Sequence, residues 1–262
     1  MRPNELTHEQ IGKQYHDEAH KLLEDASERG MTLRLLGSQA IREHCPKYRH
    51  LLDALKREYV DLDFVALSKD RPKLKLLMRE AGYEVDRELL IAAEGTRYLF
   101  YGRANGLTVD VFIDELAFCH RIDLRKILDL DYPTIPLTEL FLSKMQIVEM
   151  AQKDMKDVIV LLLEHEPLSD RVQETISIER ISQLLAQDWG FYYTVSTNLA
   201  KIVDYNYQIL SASEARTVAD RVGRLSSGIE ATPKTLRWKL RSLVGTKVLW
   251  YKPVSSREPI FR

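Results

Sequence analysis

The chain has little of what marks an exported or membrane-spanning protein. Only two of its 262 residues are cysteines, too few for a disulfide framework, so Cys45 and Cys119 are predicted to be reduced, buried thiols. No run of 18 apolar residues occurs, and the first five residues lack the apolar core of a signal peptide. We therefore expect a cytoplasmic protein that has no membrane span.

Net charge is also nearly absent, although the charges are unevenly placed. The formal net charge is −1, but residues 221–262 hold ten Lys or Arg against two Glu, which leaves −9 for residues 1–220. The cations of this basic tail are interleaved with Trp238, Trp250 and Tyr251, a mixture that suits RNA phosphates and exposed bases. The alternative is an ordinary helix with Trp238 in the core and its cations in solvent.

A pair of aspartates interrupts an otherwise apolar run at residues 60–65. Because side chains alternate along a strand, Asp61 and Asp63 share one face. Carboxylates this close repel each other unless a divalent cation holds them ionised, and Mg²⁺ prefers such hard oxygen ligands. The alternative places both side chains on the solvent face of an edge strand, where they would have no catalytic meaning.

The residues from Leu33 to Arg42 predict a strand, a tight turn at Gly37-Ser38 and a helix. Glycine lets the backbone approach a ligand closely, and the amides that begin the following helix attract anions. A triphosphate would fit this turn. The alternative is an ordinary strand-to-helix turn in which Ser38 is the N-cap.

A third candidate carboxylate, Asp110, lies in the middle of a predicted strand. Asn105-Gly106 is a strong hairpin signal between two strand-like runs, residues 97–103 and 107–114. Asp110 is placed where it would converge on the same cation as the aspartate pair. Asp114 falls at the strand end and is predicted to be a cap or turn residue.

This order of motifs resembles the nucleotidyltransferase superfamily with the DNA polymerase beta-like fold. Within it, the chain looks most like the AbiEii group, the nucleotidyltransferase toxins of type IV toxin-antitoxin systems. Further matches are Arg57, Lys144 and the segment at residues 153–157, Lys-Asp-Met-Lys-Asp, which leads into an apolar tail. The interval from Gly37 to Asp61 is longer than is usual in the family, which predicts an extra helix or loop at residues 43–56.

The resemblance implies a magnesium-dependent enzyme that transfers a nucleoside monophosphate from a nucleoside triphosphate such as ATP to an acceptor hydroxyl. With the basic tail, a tRNA 3′ end is the expected acceptor, and an antitoxin is the partner expected by resemblance. Without the resemblance, Lys144 would be a solvated lysine on an amphipathic helix. The implied roles are metal binding by Asp61, Asp63 and Asp110, catalysis by these three and Lys144, and nucleotide binding by Gly37, Ser38, Arg57, Lys144 and Asp157.

Two other functions stay open. The acceptor would be a small hydroxylated molecule in an antibiotic-modifying type of enzyme, or the chain would be a nucleotide-binding module without turnover. His16 and His20, four residues apart on a predicted helix, could bind zinc from one helical face. Because Glu18 is one place too late for the H-E-x-x-H motif, surface histidines are the preferred interpretation.

The predicted fold class is α+β: a nucleotidyltransferase-like mixed sheet flanked by helices, followed by an all-helical C-terminal domain. We place the domain boundary at Pro167, giving a nucleotidyltransferase domain with an N-terminal helix (1–166) and a helical domain with the basic tail (167–262). The predicted helices are 7–29, 71–81, 137–150, 153–164, 176–187, 191–205, 211–226 and 232–245, and the predicted strands include 61–67 and, as a strand or extended segment, 84–92.

Overall fold

The structure is a computed structural model that describes residues 8–54, 60–170, 174–205 and 210–253. It has two compact units, one of residues 1–116 and 123–140 and the other of residues 117–122 and 141–262. The domain boundary at Pro167 stays a prediction. None of the described helices combines the length and the apolar character that crossing a membrane requires.

The first half of the chain alternates strands and helices. Residues 33–44 form the predicted strand and helix with no loop between them. In chain order the elements are α1 (His8–Glu28), β1 (Leu33–Leu36), α2 (Gly37–His44), α3 (Arg49–Ala54), β2 (Leu62–Ala66), α4 (Arg71–Glu80), β3 (Tyr83–Val85), α5 (Arg87–Ala92), β4 (Arg97–Gly102), β5 (Thr108–Ile113), β6 (Glu115–Ala117) and β7 (Arg121–Asp123).

The second half is mainly helical, as predicted. Its two short strands, β8 and β9, pair in parallel over two residues each. In chain order the elements are α6 (Leu137–Met145), α7 (Gln152–Glu164), β8 (Pro167–Leu168), β9 (Ile176–Ser177), α8 (Ile178–Leu185), α9 (Trp189–Asp204), α10 (Ala212–Ala231) and α11 (Leu236–Val244).

The first unit is built on a five-stranded mixed sheet in the order β1-β2-β5-β4-β3. β2 and β5 run parallel to each other, whereas the other neighbouring pairs are antiparallel. Leu62 and Phe64 of β2 are fully buried on one face, as the alternation predicts. Because β2 lies between β1 and β5, the edge-strand alternative for the aspartate pair is wrong.

Residues 84–92 do not form one strand or extended segment. The strand β3 ends at Val85, and Asp86 caps the helix α5 by accepting a hydrogen bond from the Leu89 backbone N–H at 2.9 Å. Asp at an N-cap satisfies an amide that the helix leaves without a partner, and that capping signal outweighs the apolar content of the segment. The hairpin at Asn105-Gly106 is confirmed by the antiparallel pairing of β4 with β5.

A buried histidine in the second unit predicts acid sensitivity. His120 stacks on Phe191 with ring centroids 4.8 Å apart, and its Nε2 lies 2.8 Å from Thr194 Oγ1. Burial lowers the pKa of His120 to about 4, against a weaker opposing effect of the Asp188 charge.

The unfolded chain therefore binds a proton at His120 more readily than the folded protein does. Between pH 6.5 and about 4, acidification should lower the free energy of unfolding by up to about 3 kcal/mol. Urea unfolding at several pH values measures this slope. His120→Gln should flatten the slope and His50→Gln, at an exposed site, should not; equal slopes in both variants would contradict the assignment.

Candidate active site

The structure brings together the three predicted carboxylates: Asp63 on β2, Asp110 on β5 and Asp61 directly before β2. In the parallel register, Asp63 of β2 lies directly beside Asp110 of β5. Neighbours in register project from the same face of a sheet, and Asp61 shares that face by the two-residue spacing. Asp61 and Asp63 are half-buried, whereas Asp110 is 3% exposed. The three acidic side chains thus share one face in the first unit.

Arg97 of β4 supplies a counter-charge to this cluster. Its Nε lies 3.0 Å from both Oδ1 and Oδ2 of Asp110, and one terminal nitrogen lies 2.5 Å from Oδ2. The guanidinium also stands over the Phe112 ring, 5.1 Å from the ring centroid. A planar guanidinium suits this forked contact with a carboxylate. Arg97 therefore balances part of the negative charge at the cluster.

The pKa shifts of Asp110 and Arg97 show that the charges of the three carboxylates influence one another. Burial raises the pKa of Asp110; the contact with Arg97 opposes this rise, and the charge of Asp61 adds to it. For Arg97, burial works against the charged form, but Asp110, Asp63 and Asp61 together outweigh burial and raise its pKa. A buried carboxylate with a raised pKa accepts a proton more readily than an ordinary aspartate.

Gly37 forms the floor of the site beside Asp63. Leu36, the last residue of β1, pairs with Asp63, so the turn begins directly next to the carboxylate. Gly37 has φ +68°, and a Cβ added there would stand 2.0 Å from Asp63 Oδ2. Glycine is therefore needed twice at this position, for the backbone angle and for the space.

The helix that follows the turn begins without a side-chain cap. Its N-cap is Leu36, and α2 starts at Gly37, so Ser38 lies inside the first turn rather than at the cap. The alternative role of Ser38 as N-cap is therefore wrong. Amides at such an N-terminus, together with the helix dipole, form a favourable site for an anion.

Lys144 is held by two aspartates in the second unit. Its Nζ lies 2.9 Å from Asp157 Oδ2 and 3.1 Å from Asp154 Oδ1, and its side chain is 13% exposed. The alternative of a solvated lysine is therefore wrong. Asp154 and Asp157 are three residues apart on α7, which places them on the same side of the helix. The D-x-x-D pattern at residues 154–157 thus fixes the ammonium of Lys144.

Replacing Lys144 with an uncharged residue should destabilise the protein, because Asp154 and Asp157 would stay buried without their cation. Lys144→Met is expected to lower the free energy of unfolding by about 3 to 5 kcal/mol, because two carboxylates stay buried without their cation. Combining it with Asp154→Asn and Asp157→Asn should recover much of the loss. Urea unfolding measures both effects, with the exposed Lys153→Met as control. A single variant as stable as that control would contradict the ion-pair assignment.

Other predicted residues are placed as follows. Arg57 lies outside the described residues. The extra segment at residues 43–56 includes the helix α3 (Arg49–Ala54). Asp114 is a turn residue with φ +66° whose Oδ1 accepts a hydrogen bond from the Ser68 backbone N–H at 2.8 Å, as predicted. Cys45 and Cys119 are buried thiols outside any disulfide, also as predicted.

Two neighbours of the predicted residues were missed by sequence reasoning, Arg97 and the role of Asp154. Arg97 pairs with Phe112 across the hairpin, diagonal to Asp110. The hairpin signal indicates such a pairing in general terms, but the turn spans Arg103 to Leu107 rather than the predicted Ala104 to Gly106. Asp154 was visible as part of the D-x-x-D pattern, and its spacing from Asp157 was the signal for a shared partner.

Comparisons with known proteins add a similarity of fold. No protein-family model matches the sequence, and no curated protein matches it. Among solved structures, the chain is similar to the antibiotic-resistance factor ANT(2'')-Ia, with 12% sequence identity and a TM-score of 0.37. The match covers 84% of this chain and 96% of the other.

The predicted α+β class, with a mixed sheet flanked by helices, is confirmed. The similarity to ANT(2'')-Ia, at a TM-score of 0.37, carries no argument about this chain. Any assignment of activity must therefore come from the side chains of this chain. Membership of the AbiEii group is supported only by the sequence motifs.

Proposed function

We propose that the protein is a divalent-cation-dependent nucleotidyltransferase that transfers a nucleoside monophosphate from a nucleoside triphosphate to an acceptor hydroxyl. One observation carries the proposal: Asp63 and Asp110 lie side by side on the central strands, and the uncapped Gly37 turn touches Asp63. Carboxylates next to an anion-binding turn are the arrangement that a metal-bound triphosphate needs.

The donor set fits magnesium. Asp61, Asp63 and Asp110 offer hard carboxylate oxygens, the ligands that Mg²⁺ takes in proteins. In the proposal Asp61 and Asp63 hold the cation, and Asp110 is the third ligand or the base toward the acceptor. When bound, the cation would neutralise triphosphate charge and lower the pKa of the acceptor hydroxyl.

The chain's own residues would position the two reactants. The amides of Gly37 and Ser38 would donate hydrogen bonds to the triphosphate. For Lys144, which Asp157 holds in the second unit, the resemblance implies the role of a point charge for phosphate. The acceptor oxygen forms a bond to the α-phosphorus while the bond from that phosphorus to the bridging oxygen breaks. Pyrophosphate leaves, and the hydroxyl proton passes to Asp110 or to water. Most of the rate enhancement would come from positioning and charge.

We further propose an RNA acceptor, a tRNA 3′ end, for the basic tail. Arg237, Lys239, Lys247 and Lys252 are exposed and remain available to phosphates. Other members of the tail serve the fold, because Arg241 donates hydrogen bonds to the Gly245 and Val248 carbonyls. A cavity of about 610 Å³ in the second unit offers ring faces and cations for an exposed base, and its lining includes Trp189, Arg237, Trp238, Arg241 and Trp250.

Assignment to the AbiEii toxin group, and with it an antitoxin partner, is part of the same proposal. It depends on Lys144 and the D-x-x-D segment at residues 154–157, whose two aspartates both form ion pairs with this lysine. Growth arrest on expression of the wild-type chain, absent for Asp63→Asn, is the expected result. Equal growth of both strains would contradict toxicity.

The central experiment is transfer of labelled nucleotide. The protein is incubated with each α-labelled nucleoside triphosphate, magnesium and total tRNA, and the RNA is then resolved on a gel. Label on RNA that disappears with a chelator is the expected result. The amount of label transferred to RNA should fall steeply as the salt concentration rises, because protein binding to RNA phosphates releases counterions.

Other acceptors give different outcomes of the same reaction. Label on an added aminoglycoside instead of RNA would overturn the RNA acceptor and retain the activity. Magnesium-dependent nucleotide binding by calorimetry, without pyrophosphate release from any acceptor, would overturn turnover itself and indicate a binding module.

A further inference from the structure

The first unit holds a second group of side chains of the kinds that bind metals. It differs from the carboxylate cluster in residue type and comes from other parts of the sequence. His16 and His20 are one turn apart on α1, with ring centroids separated by 4.3 Å. Glu43, in the last turn of α2, points one oxygen at both rings. Its Oε1 is 3.3 Å from His16 Nε2 and 2.9 Å from His20 Nε2. The three ligand atoms therefore converge on one point.

These distances are close to those of a tetrahedral metal site. With metal–ligand bonds of about 2.05 Å, two ligands of a tetrahedral zinc ion lie about 3.3 Å apart. The separation of His16 Nε2 from Glu43 Oε1 already has this value, and that of His20 Nε2 needs a widening of only about 0.4 Å. A small rotation of side chains would make room for an ion between the three atoms.

The surroundings orient the first ligand for such a role. Asp17 Oδ1 lies 3.4 Å from His16 Nδ1, opposite the nitrogen that faces Glu43. Metal-binding imidazoles commonly donate their second N–H to a carboxylate, which fixes the tautomer. The side chains of His16, His20 and Glu43 are 51%, 33% and 26% exposed, so water can reach a fourth coordination position.

We propose that His16, His20 and Glu43 bind a divalent transition-metal ion of the zinc class, which fastens α1 to α2. Two imidazoles and one carboxylate favour zinc over magnesium, which takes oxygen ligands. α2 is also the helix that begins at the Gly37 turn. The ion would therefore hold the far end of the helix whose first amides face the carboxylate cluster.

Zinc binding to the whole protein tests the proposal. In calorimetry with zinc chloride, His16→Gln, His20→Gln and Glu43→Gln should each lower the zinc affinity at least about 100-fold, and Asp17→Asn about 10-fold. His50→Gln, which removes an exposed histidine of α3, should bind zinc as the wild type does. Zinc should also raise the melting temperature of the wild type and of His50→Gln but not that of the three ligand variants.

Cobalt provides a readout that does not depend on the variants folding. Replacing zinc with Co²⁺ in the wild type should give the visible absorption of a tetrahedral nitrogen-and-oxygen site, displaced by zinc but not by magnesium. Equal zinc affinity in the ligand variants and in His50→Gln would overturn the proposal. So would a wild type without a saturable zinc site or with octahedral cobalt only. Nucleotidyl transfer is measured separately, so either proposal can fail alone.

Discussion

Asp63→Asn should reduce nucleotidyl transfer by about 10³-fold or more, because the proposed cation loses a charged ligand at the centre of the site. Asparagine keeps the shape of the side chain, and β2 is held on both sides by β1 and β5. The fold should therefore survive, with an unchanged circular dichroism spectrum. Single-turnover transfer of labelled nucleotide at saturating magnesium measures the effect.

The control for this experiment is another aspartate of the first unit. Asp129 has a side chain that is 73% exposed and lies in the same unit, so Asp129→Asn should retain wild-type transfer. Asp61→Asn should be as defective as Asp63→Asn, and the double variant should be little worse, since ligands of one ion act as a unit. If the rate of transfer by Asp63→Asn were within about threefold of that of Asp129→Asn, the proposed role of the carboxylates would be wrong.

Gly37→Ala is expected to disable the same site by displacing its carboxylate. The new Cβ would meet Asp63 Oδ2 at 2.0 Å and Asp63 Cγ at 2.9 Å, so Asp63 or the turn must move. A non-glycine residue at φ +68° adds strain of about 1 to 3 kcal/mol. We expect both a lower melting temperature and a loss of transfer of about 10²-fold, because small misplacements of reacting groups are costly.

Gly106→Ala is the control that separates backbone strain from the steric clash with Asp63. Gly106 also has φ +68°, but an added Cβ there meets no atom within 4 Å. It should therefore lose similar stability from its backbone while retaining transfer. Differential scanning fluorimetry and the transfer assay are measured on both variants. If Gly37→Ala transferred nucleotide as well as Gly106→Ala, the close contact of the turn with Asp63 would have no catalytic importance.

The sequence predicts the local elements of this site well because each has a short-range cause. The alternation at residues 60–65, the Gly37 turn and the Asn105-Gly106 hairpin depend on neighbouring residues, and all three appear in the structure. The position of Asp63 next to Asp110, by contrast, depends on the order of the strands in the sheet. Parallel pairing of β2 with β5 brings together residues 47 positions apart. The mid-strand position of Asp110 and the family resemblance predict this convergence, but no local pattern gives the strand order.

Contacts between distant elements could not be predicted from the sequence, because they also depend on how the elements pack together. Arg97 approaches Asp110 because the register of β4 with β5 places it opposite Phe112, two residues from Asp110, and this register follows from a turn longer than the predicted Ala104 to Gly106. Glu43 approaches His16 and His20 because α2 packs near α1 in the folded unit. The error at residues 84–92 is different in kind, since the Asp86 cap was present in the sequence and was overlooked.

Arg97 has a consequence for how the protein matures. Because the guanidinium is already seated on Asp110, the acidic face carries an internal counter-ion from the moment the strands pair. Folding of a cluster of bare carboxylates would be tied to the supply of ions. Under the proposed function, a chain that brings its own cation can complete its sheet first and bind its metal ion afterwards, so removal of the ion would stop transfer and leave the fold intact.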